Sequence, residues 1–507
     1  MDDYSLKDIF RHGSKFRLIP TLNKNLIREE IRSDVSEYIY KISLKLNIHL
    51  GHFAEWKAKL LDLIFYKIST VINIFPCTTN FVQFSNKVKN LQDKFVVMPV
   101  DKASNNFGFV CKRFYATILL SEIDSDSVFE QYRGNINSVK DAYDNVLKEF
   151  KVSPSAYNIP FMYAIPKFHK NPLKFRFITS SINCICKKIS VFLNLILDKL
   201  VSIISLESEF NWIIKNNSEV LELLRDQVGN HENSNNLMVA TYDFSTLYTT
   251  LPHHDLIRCL VALYNKYFTS DIVLYFENKK LSLSKSKFVE ILKFCISNNF
   301  IYFDNKLYRQ KVGIPMGANY SPNLANLYLH FYESKFMTIN VQERRLAYSF
   351  TYRYIDDLLA VNNDHILDDI VSIYPPDLEV NNTNSAPHRN CSFLDLDIEI
   401  TDDGFTHKVY DKRRDFNFEM LGLPSFNSNT PTKLAYGVLC SQFCRYSSIC
   451  KFGADFTFNC QLLIDKLKRN DFPSRVLKKF VIKFEFCKRL SVSKFNFRSR
   501  LVDLLEF

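Results

Sequence analysis

Tyr354-Ile355-Asp356-Asp357 is a short stretch, but it decides how the rest of the chain is read. Residues 348–361 place apolar and aromatic side chains on both sides of the acidic pair, so the pair reads as the tip of a hairpin between two strands. Most acidic doublets are solvated turns, and this one gains meaning from what accompanies it. Asp243 closes a short apolar run, LMVATYDF at 237–244. Between the two lie Gly313-Ile314-Pro315-Met316-Gly317 and then Ser321-Pro322-Asn323-Leu324-Ala325. A strand end carrying Asp243 beside a hairpin tip carrying Asp356 and Asp357 would bring three hard-oxygen donors together from separate rigid elements. Mg²⁺ prefers such a donor set.

The bulk properties agree with a large basic protein. A chain of 507 residues can bury a sizeable core and divide into subdomains. Its 65 Lys and Arg against 54 Asp and Glu leave a formal charge of +11, which suits a polyanionic partner without specifying one. The 12 cysteines lack paired Cys-x2-Cys spacing, and Cys184-x-Cys186 and Cys440/Cys444/Cys450 fit helix faces better than a zinc site. They read as reduced core thiols. The polar, acidic start MDDYSLKDIF gives no reason to expect a secretory leader, and the apolar stretch at 191–206 contains Asp198 and Lys199, so it reads as an amphipathic helix. No membrane partner is expected.

Along the chain, LIREEIRSDVSEYIYKISLKL (27–47) has a helical period and predicts a helical N-terminal region. VVMPV, FGFV and FRFIT predict strands within 94–115 and 158–180. Residues 185–226 read as helical, and 227–237 as a polar linker. LPHHDLIRCLVALYNKYF predicts a helix with Pro252 near its start, and residues 296–313 predict a hairpin. SPNLANLYLHFYESKF predicts a helix capped by Ser321 with Pro322 at its first position. Residues 391–411 read as a further hairpin and 436–507 as mainly helical and basic.

Several side chains near these segments have the chemistry to hold phosphate. Alternation in LKFRFIT puts Lys174 and Arg176 on one face, opposite Phe175 and Phe177, and Lys102 follows Asp101 at a strand end. A guanidinium fork matches phosphate oxygens in pairs. Lys167, His169 and Lys170 in IPKFHK are candidates for contacts to nucleic-acid phosphates. Tyr248, five residues past Asp243, can return to the floor of the same site, and the backbone carbonyl of Phe244 can add a neutral ligand.

In this order the segments resemble reverse transcriptases, most closely those of Penelope-like retroelements, over about residues 94–490. The resemblance implies an α+β right-hand polymerase. Fingers span 90–235, a palm of antiparallel sheet plus helices spans 236–410, and a helical thumb spans 411–507, after an N-terminal helical extension at 1–89. It implies catalytic acids at Asp243, Asp356 and Asp357, which with Phe244 would hold two Mg²⁺ ions, Mn²⁺ substituting. A sugar-sensing aromatic falls on Tyr248, the nascent pair meets Pro315, Met316 and Gly317, and the triphosphate meets Lys102, Lys174 and Arg176. A primer grip falls on SFLDLDIEI, with Phe393 and Leu394 at its head. HGSKFRLIP at 12–20 resembles a segment found before the fingers in this group. The implied partners are an RNA template, a DNA primer and dNTPs, and the implied location is the nucleus.

The chain also departs from the pattern. No GIY-YIG motif follows the thumb region, so an endonuclease would be a separate partner. Many such polymerases protonate pyrophosphate with a lysine between the acidic pair and the primer grip. None occurs from 358 to 392, which leaves His365, His388, Arg389 or water. DKASNN replaces a more glycine-rich finger turn. An RNA-dependent RNA polymerase and a catalytically idle nucleic-acid-binding scaffold remain as alternatives. The aromatic at Tyr248 speaks against the first and the intact acids against the second.

Overall fold

A computed structural model describes residues 10, 13–15, 24–72, 81–124, 128–150, 152, 154, 156–226, 237–384, 388–402, 404–423, 425, 426, 428 and 430–479. The polar linker at 227–236, most of HGSKFRLIP and the basic run after 479 lie outside them.

Helices Lys24–Leu46, Ala54–Ile72 and Phe81–Lys94 form the N-terminal region. Strands β1 (Phe95–Val100) and β2 (Ala103–Cys111) pair as a hairpin. Helix Lys112–Ile123, β3 (Phe129–Tyr132) and helix Ile136–Glu149 lead to a second hairpin, β4 (Phe161–Lys167) with β5 (Lys174–Ser180). The predicted helix over 185–226 is two helices, Lys187–Glu207 and Ser218–Asp226. The chain breaks between them so that residues 212–214 can run beside a later strand. After the linker come β6 (Val239–Phe244), helix His253–Tyr267, the hairpin β7 (Ile272–Phe276) and β8 (Lys279–Leu283), and helix Lys285–Ser297. Next are the expected hairpin, β9 (Phe300–Phe303) with β10 (Lys306–Gln310), and helix Ser321–Ile339. The acidic pair lies between β11 (Thr351–Tyr354) and β12 (Asp357–Val361), and helix Ile366–Ile373 and β13 (Val380–Asn382) follow. Residues 391–411 supply a three-stranded meander rather than a single hairpin: β14 (Asn390–Phe393), β15 (Leu396–Thr401) and β16 (Gly404–Val409). Helices Thr432–Ile449 and Gly453–Arg469 close the described chain.

The acids belong to a four-stranded antiparallel sheet ordered β11-β12-β6-β13. Its two central strands are apolar on both faces, and this explains why LMVA and LLAV read as unbroken apolar runs. Ala240, Tyr242, Phe244, Leu358 and Ala360 join the larger core, made with helices Lys187–Glu207, His253–Tyr267, Lys285–Ser297 and Ser321–Ile339. Val239, Leu359 and Val361 point the other way, into a core shared with the β14–β16 meander and the last two helices. The alternation of side chains along each strand therefore welds two layers to one sheet. Helix Lys187–Glu207 is long and apolar enough to cross a membrane, but here Phe192, Leu193, Ile196 and Leu200 are buried in the larger core.

Helix Ser321–Ile339 begins as predicted with Pro322 in its first turn. Ser321 is not its cap. The cap position is Tyr320, and the Ser321 hydroxyl donates instead to the Pro315 carbonyl at 2.7 Å, tying the helix start to the glycine segment.

Arg353 of β11 is 0% exposed and its partner Glu333, on that helix, 2%. Arg353 Nε donates to Glu333 Oε1 at 2.5 Å and Nη2 to Oε2 at 3.1 Å. Nη1 reaches Asn326 Oδ1 (2.8 Å) and the Ile355 carbonyl (3.1 Å), and Nη2 also reaches the Asn326 carbonyl (3.0 Å). Breaking a buried pair strands the remaining charge, which costs about 3–5 kcal/mol. Glu333→Ala is expected to lose that much in urea unfolding, and a loss under about 0.5 kcal/mol, the scale of an ordinary surface substitution, would refute this role.

Candidate active site

The hairpin and the neighbouring strand align the acids. Asp357 is the register partner of Asp243 across β12 and β6. Asp356 sits in the turn, and its carbonyl accepts the Phe244 N–H at 3.2 Å. The turn is tight: Ile355 has φ of 56°, a conformation that β-branched residues avoid and that strains the backbone by about 1–3 kcal/mol. Its carbonyl is one of the groups held by Arg353. The Phe244 ring is buried edge-on against Tyr374 (centroids 4.8 Å apart), so only its backbone is available to the site.

All three carboxylates are half-buried. Burial raises Asp356 above the usual carboxylate range, and the charge of Asp243 adds to the effect. Asp357 is pushed up to about 6 by burial, then by Asp356 and Asp243. Opposing this are a backbone hydrogen bond and then Arg176 and Lys102 on Asp356, and Lys412 and Lys102 on Asp357. The acids thus form one electrostatic unit facing a basic cluster.

That cluster is organised around Asp101. Asp101 is 6% exposed at the tip of the β1–β2 hairpin, and its N–H donates to the Pro166 carbonyl of β4 at 3.1 Å. One carboxylate oxygen lies 3.5 Å from Arg176 Nε, and the other has no partner among the described residues. Lys102, with φ of 60°, completes the turn and projects into solvent. Burial and then the Lys412 charge lower its affinity for a proton. Burial and Arg176 do the same to Lys167. Lys174 is the register partner of Lys167, and Lys170 sits in the intervening turn with its N–H on the Lys167 carbonyl (2.9 Å). His169 is lowered by burial and stacks on Phe416 at 4.9 Å. Lys412 was not singled out in the sequence. Its only signal there was the run Lys412-Arg413-Arg414 directly after the meander.

The glycine segment joins acids to cations. The Tyr248 carbonyl accepts the Ile314 N–H at 2.7 Å, and a Cβ on Gly313 would lie 2.5 Å from that same carbonyl oxygen. At the other end, Gly317 has φ of 122°, and a Cβ there would meet the Thr179 carbonyl of β5 at 2.3 Å. The Met316 carbonyl accepts the Thr179 N–H (2.8 Å) and the Gly317 carbonyl the Ser181 hydroxyl (2.8 Å). Only glycine allows these approaches. Pro315 is buried, Met316 half-buried and Gly317 exposed. The Tyr248 phenol is pushed up to about 12 by burial and by the charge of Asp356, which puts the ring beside the acids.

Some expected roles do not fit their positions. Phe393 is 2% exposed and lies in the core under the meander, so its ring offers no surface to nucleic acid. Strand alternation turned it inward. Leu394, with φ of 54°, occupies the turn and is partly buried against the same core. His388 meets Asn384 (3.1 Å), and its carbonyl accepts the Val239 N–H, at the end of β6 opposite Asp243. Arg389 adjoins it, and His365 follows the far end of β12, so these side chains flank the wrong end of the sheet. Among the described residues no three His, Cys, Asp or Glu side chains are already gathered as a metal-ion ligand set.

No family model and no curated protein matches the chain. Solved structures do. Telomerase from Candida albicans, solved with a fragment of telomeric RNA, is 14% identical. The match covers 79% of this chain and 68% of that one, with a TM-score of 0.53. The chain shares its fold with that telomerase. Apo telomerase from Candida tropicalis is 13% identical over 86% of this chain and 75% of its own, with a TM-score of 0.49. The Sicinivirus RNA-dependent RNA polymerase is 13% identical over 71% and 74%, with a TM-score of 0.34.

The Asp357 value has a consequence for stability. The folded carboxyl titrates above its ordinary value of 3.8, so ionisation weakens the fold as pH rises from about 4 to about 6, and the full penalty applies above that. Asp357→Asn is expected to stabilise the metal-free chain by about 1–3 kcal/mol at pH 7.5, with the gain vanishing near pH 4 in urea titrations. An equal gain at both pH values would sink the electrostatic explanation.

Proposed function

We propose that the chain is an RNA-directed DNA polymerase that extends a primer 3′-hydroxyl with dNTPs. The observation that carries this reading is the register of Asp243 opposite Asp357, with Asp356 in the adjoining turn and Lys102, Arg176 and Lys412 acting on the same carboxylates. In this reading β1–β5 belong to fingers (90–235), the four-stranded sheet to a palm (236–410) and the last helices to a thumb (411–507), preceded by the helical extension at 1–89.

Asp356 and Asp357, whose proton affinity is raised by burial and by the neighbouring carboxylates, suit together with Asp243 a hard divalent cation, which relieves both effects. Asp243, Asp356, Asp357 and the Phe244 carbonyl would hold Mg²⁺, with Mn²⁺ as a substitute. When bound, such ions supply Lewis acidity toward the primer hydroxyl and the leaving pyrophosphate. The chain's own groups do the rest. Arg176 and Lys102 bind the triphosphate, which displaces Asp101 as their counter-charge, with Lys174 at the entrance. Tyr248 presses on the sugar face and excludes a 2′-hydroxyl. The Pro315–Gly317 backbone seats the nascent pair. Lys167, His169 and Lys170 meet template or primer phosphates. Lys412 provides the lysine that the interval 358–392 lacks, and it is the residue to donate a proton to pyrophosphate.

The finer assignment to Penelope-like retroelement enzymes rests on the flanking segments, PVDKASNNFGFV, IPKFHKNPLKFRFITS and SFLDLDIEI. It carries with it an RNA template, a DNA primer and a nuclear site of action.

Primer extension on a defined RNA template with Mg²⁺ tests the reading. Template-coded DNA synthesis is expected from the wild type and none from Asp356→Ala. Arg176→Ala should raise the dNTP KM about tenfold or more, the loss of a charge-assisted hydrogen bond. Tyr248→Ala should improve rNTP use relative to dNTP about tenfold. Efficient RNA synthesis by the wild type would instead identify an RNA polymerase, and tight primer–template binding without incorporation a scaffold.

A further inference from the structure

After β16 the chain does not pass directly into helix Thr432–Ile449. Residues 411–423 form a strap that crosses the molecule, and its two sides do different things. Lys412 acts on Lys102 and Asp357. Its neighbour Arg413 faces the other way, into a cavity of about 370 Å³ between the strap and helices Thr432–Ile449 and Gly453–Arg469.

The walls of this cavity are short of negative charge. Arg413, Arg414, Lys466 and Arg469 border it, against the carboxylates Asp411 and Glu419. Arg414 is committed elsewhere: Nη2 donates to Asn459 Oδ1 at 2.5 Å, and the guanidinium lies over Phe458 at 5.7 Å. Arg413 is bound to Asp411 through Nε (2.7 Å) and Nη2 (2.8 Å), which leaves its Nη1 without a partner among the described residues. Among the described residues Lys466 and Arg469 make no close ion pair, although the charges of Asp411 and Glu419 act on Lys466 from farther off. Lys466 is half-buried, its Nζ against Gly422, where a Cβ would come within 3.0 Å of it. Burial, and next the charge of Arg413, lower its hold on a proton. A half-buried ammonium beside two guanidinium groups is an unfavourable arrangement unless an anion completes it. The cavity also has an aromatic side, Phe418 and Tyr446, and its volume falls in the range of about 300–1,000 Å³ typical of small-ligand sites.

We infer that this cavity is a binding site for a nucleoside phosphate, with the phosphate on Lys466, Arg469 and the free edge of Arg413 and the base against Phe418. Arg413 and Arg469 both act on the Lys466 ammonium, so the three cations border one part of the cavity, as a phosphate group requires, and an aromatic wall suits a base more than it suits an inorganic ion. The phosphate comes either from a free nucleotide or from one residue of a strand. The site lies across the strap from the acids and is distinct from the nucleotide position that they define.

Binding to the full chain carrying Asp356→Asn and Asp357→Asn, in EDTA, isolates it. The probes are AMP with a fluorophore on its ribose and a labelled 12-nucleotide single-stranded RNA, each followed by anisotropy. Labelled AMP is expected to saturate and to be displaced by inorganic phosphate, with Lys466→Gln/Arg469→Gln weakening it about tenfold. Arg469 is exposed, so Arg469→Gln alone keeps the fold and should give part of that loss. Lys433→Gln, an exposed charge outside the cavity, should give none. A loss for RNA alone would assign the phosphate to a strand. Unchanged affinity for both probes, or an equal loss in Lys433→Gln, would overturn the site. Neither measurement requires incorporation, so a chain inactive in primer extension would still answer the question.

Discussion

The buried guanidinium of Arg353 is the interaction on which the site depends. A guanidinium has five N–H donors, and the five contacts described for Arg353 satisfy them with two Glu333 oxygens, two Asn326 oxygens and the Ile355 carbonyl. Glu333 takes a further hydrogen bond from the Tyr374 hydroxyl at 2.9 Å. The backbone of Arg353 is fixed as well: its N–H donates to the Trp212 carbonyl at 2.6 Å, and its carbonyl accepts from Ile214 at 3.0 Å. This completeness is what makes a buried charge tolerable. It also explains how a β-branched residue can be held at positive φ beside the acids. Glu333 and Asn326 sit on the helix whose first turn grips Pro315, so one helix positions both the acidic hairpin and the glycine segment.

The electrostatics complement that frame. Three carboxylates repel one another in a half-buried setting, and cations from three separate places lower the repulsion: Lys102 from β1–β2, Arg176 from β5 and Lys412 from the strap. The contacts of the β1–β2 turn segment DKASNN show why it is not glycine-rich. Asn105 and Asn106 point to opposite sides of β2. Asn105 Oδ1 accepts the Lys15 N–H at 2.6 Å and the Ser14 hydroxyl at 3.0 Å, while Asn106 donates to the Glu419 carbonyl (2.8 Å) and accepts the Leu421 N–H (2.9 Å). A glycine at either position would make none of these bonds. The side chains dock the N-terminal segment on one face and the strap on the other, a role that the local sequence pattern did not reveal.

What the sequence made legible was local or strongly patterned. The hairpin around Asp356 and Asp357, the strand ending at Asp243 and the helix beginning near Pro322 follow from apolar runs and from the punctuation of Gly and Pro. The strands flanking Lys102 and Arg176 follow from alternation. What it hid was set by partners distant in the chain. The break at 208–217 interrupts an apolar stretch that has no glycine or proline, and it exists because residues 212–214 pair beside Arg353. Phe393 looks like a primer-grip aromatic until the meander acquires its third strand, which makes that face a core. Ser321 has the chemistry of a cap but finds a better acceptor in Pro315.

The strap brings these themes together. Lys412 and Arg413 are consecutive residues of one short helical turn, Lys412–Asp415, and they serve opposite sides of it. The turn is anchored at its start by the Asp411 side chain on the Arg413 N–H (3.1 Å), and downstream by Phe416 on His169 and by residues 419 and 421 on Asn106. Its anchors lie on the β1–β2 and β4–β5 hairpins, and its far side borders the last two helices. The Lys412 charge lowers the proton affinity of Lys102, so their proximity is unfavourable by itself. It is sustained by the hydrogen bonds at Asn106, the stack at His169 and the carboxylates that both cations face.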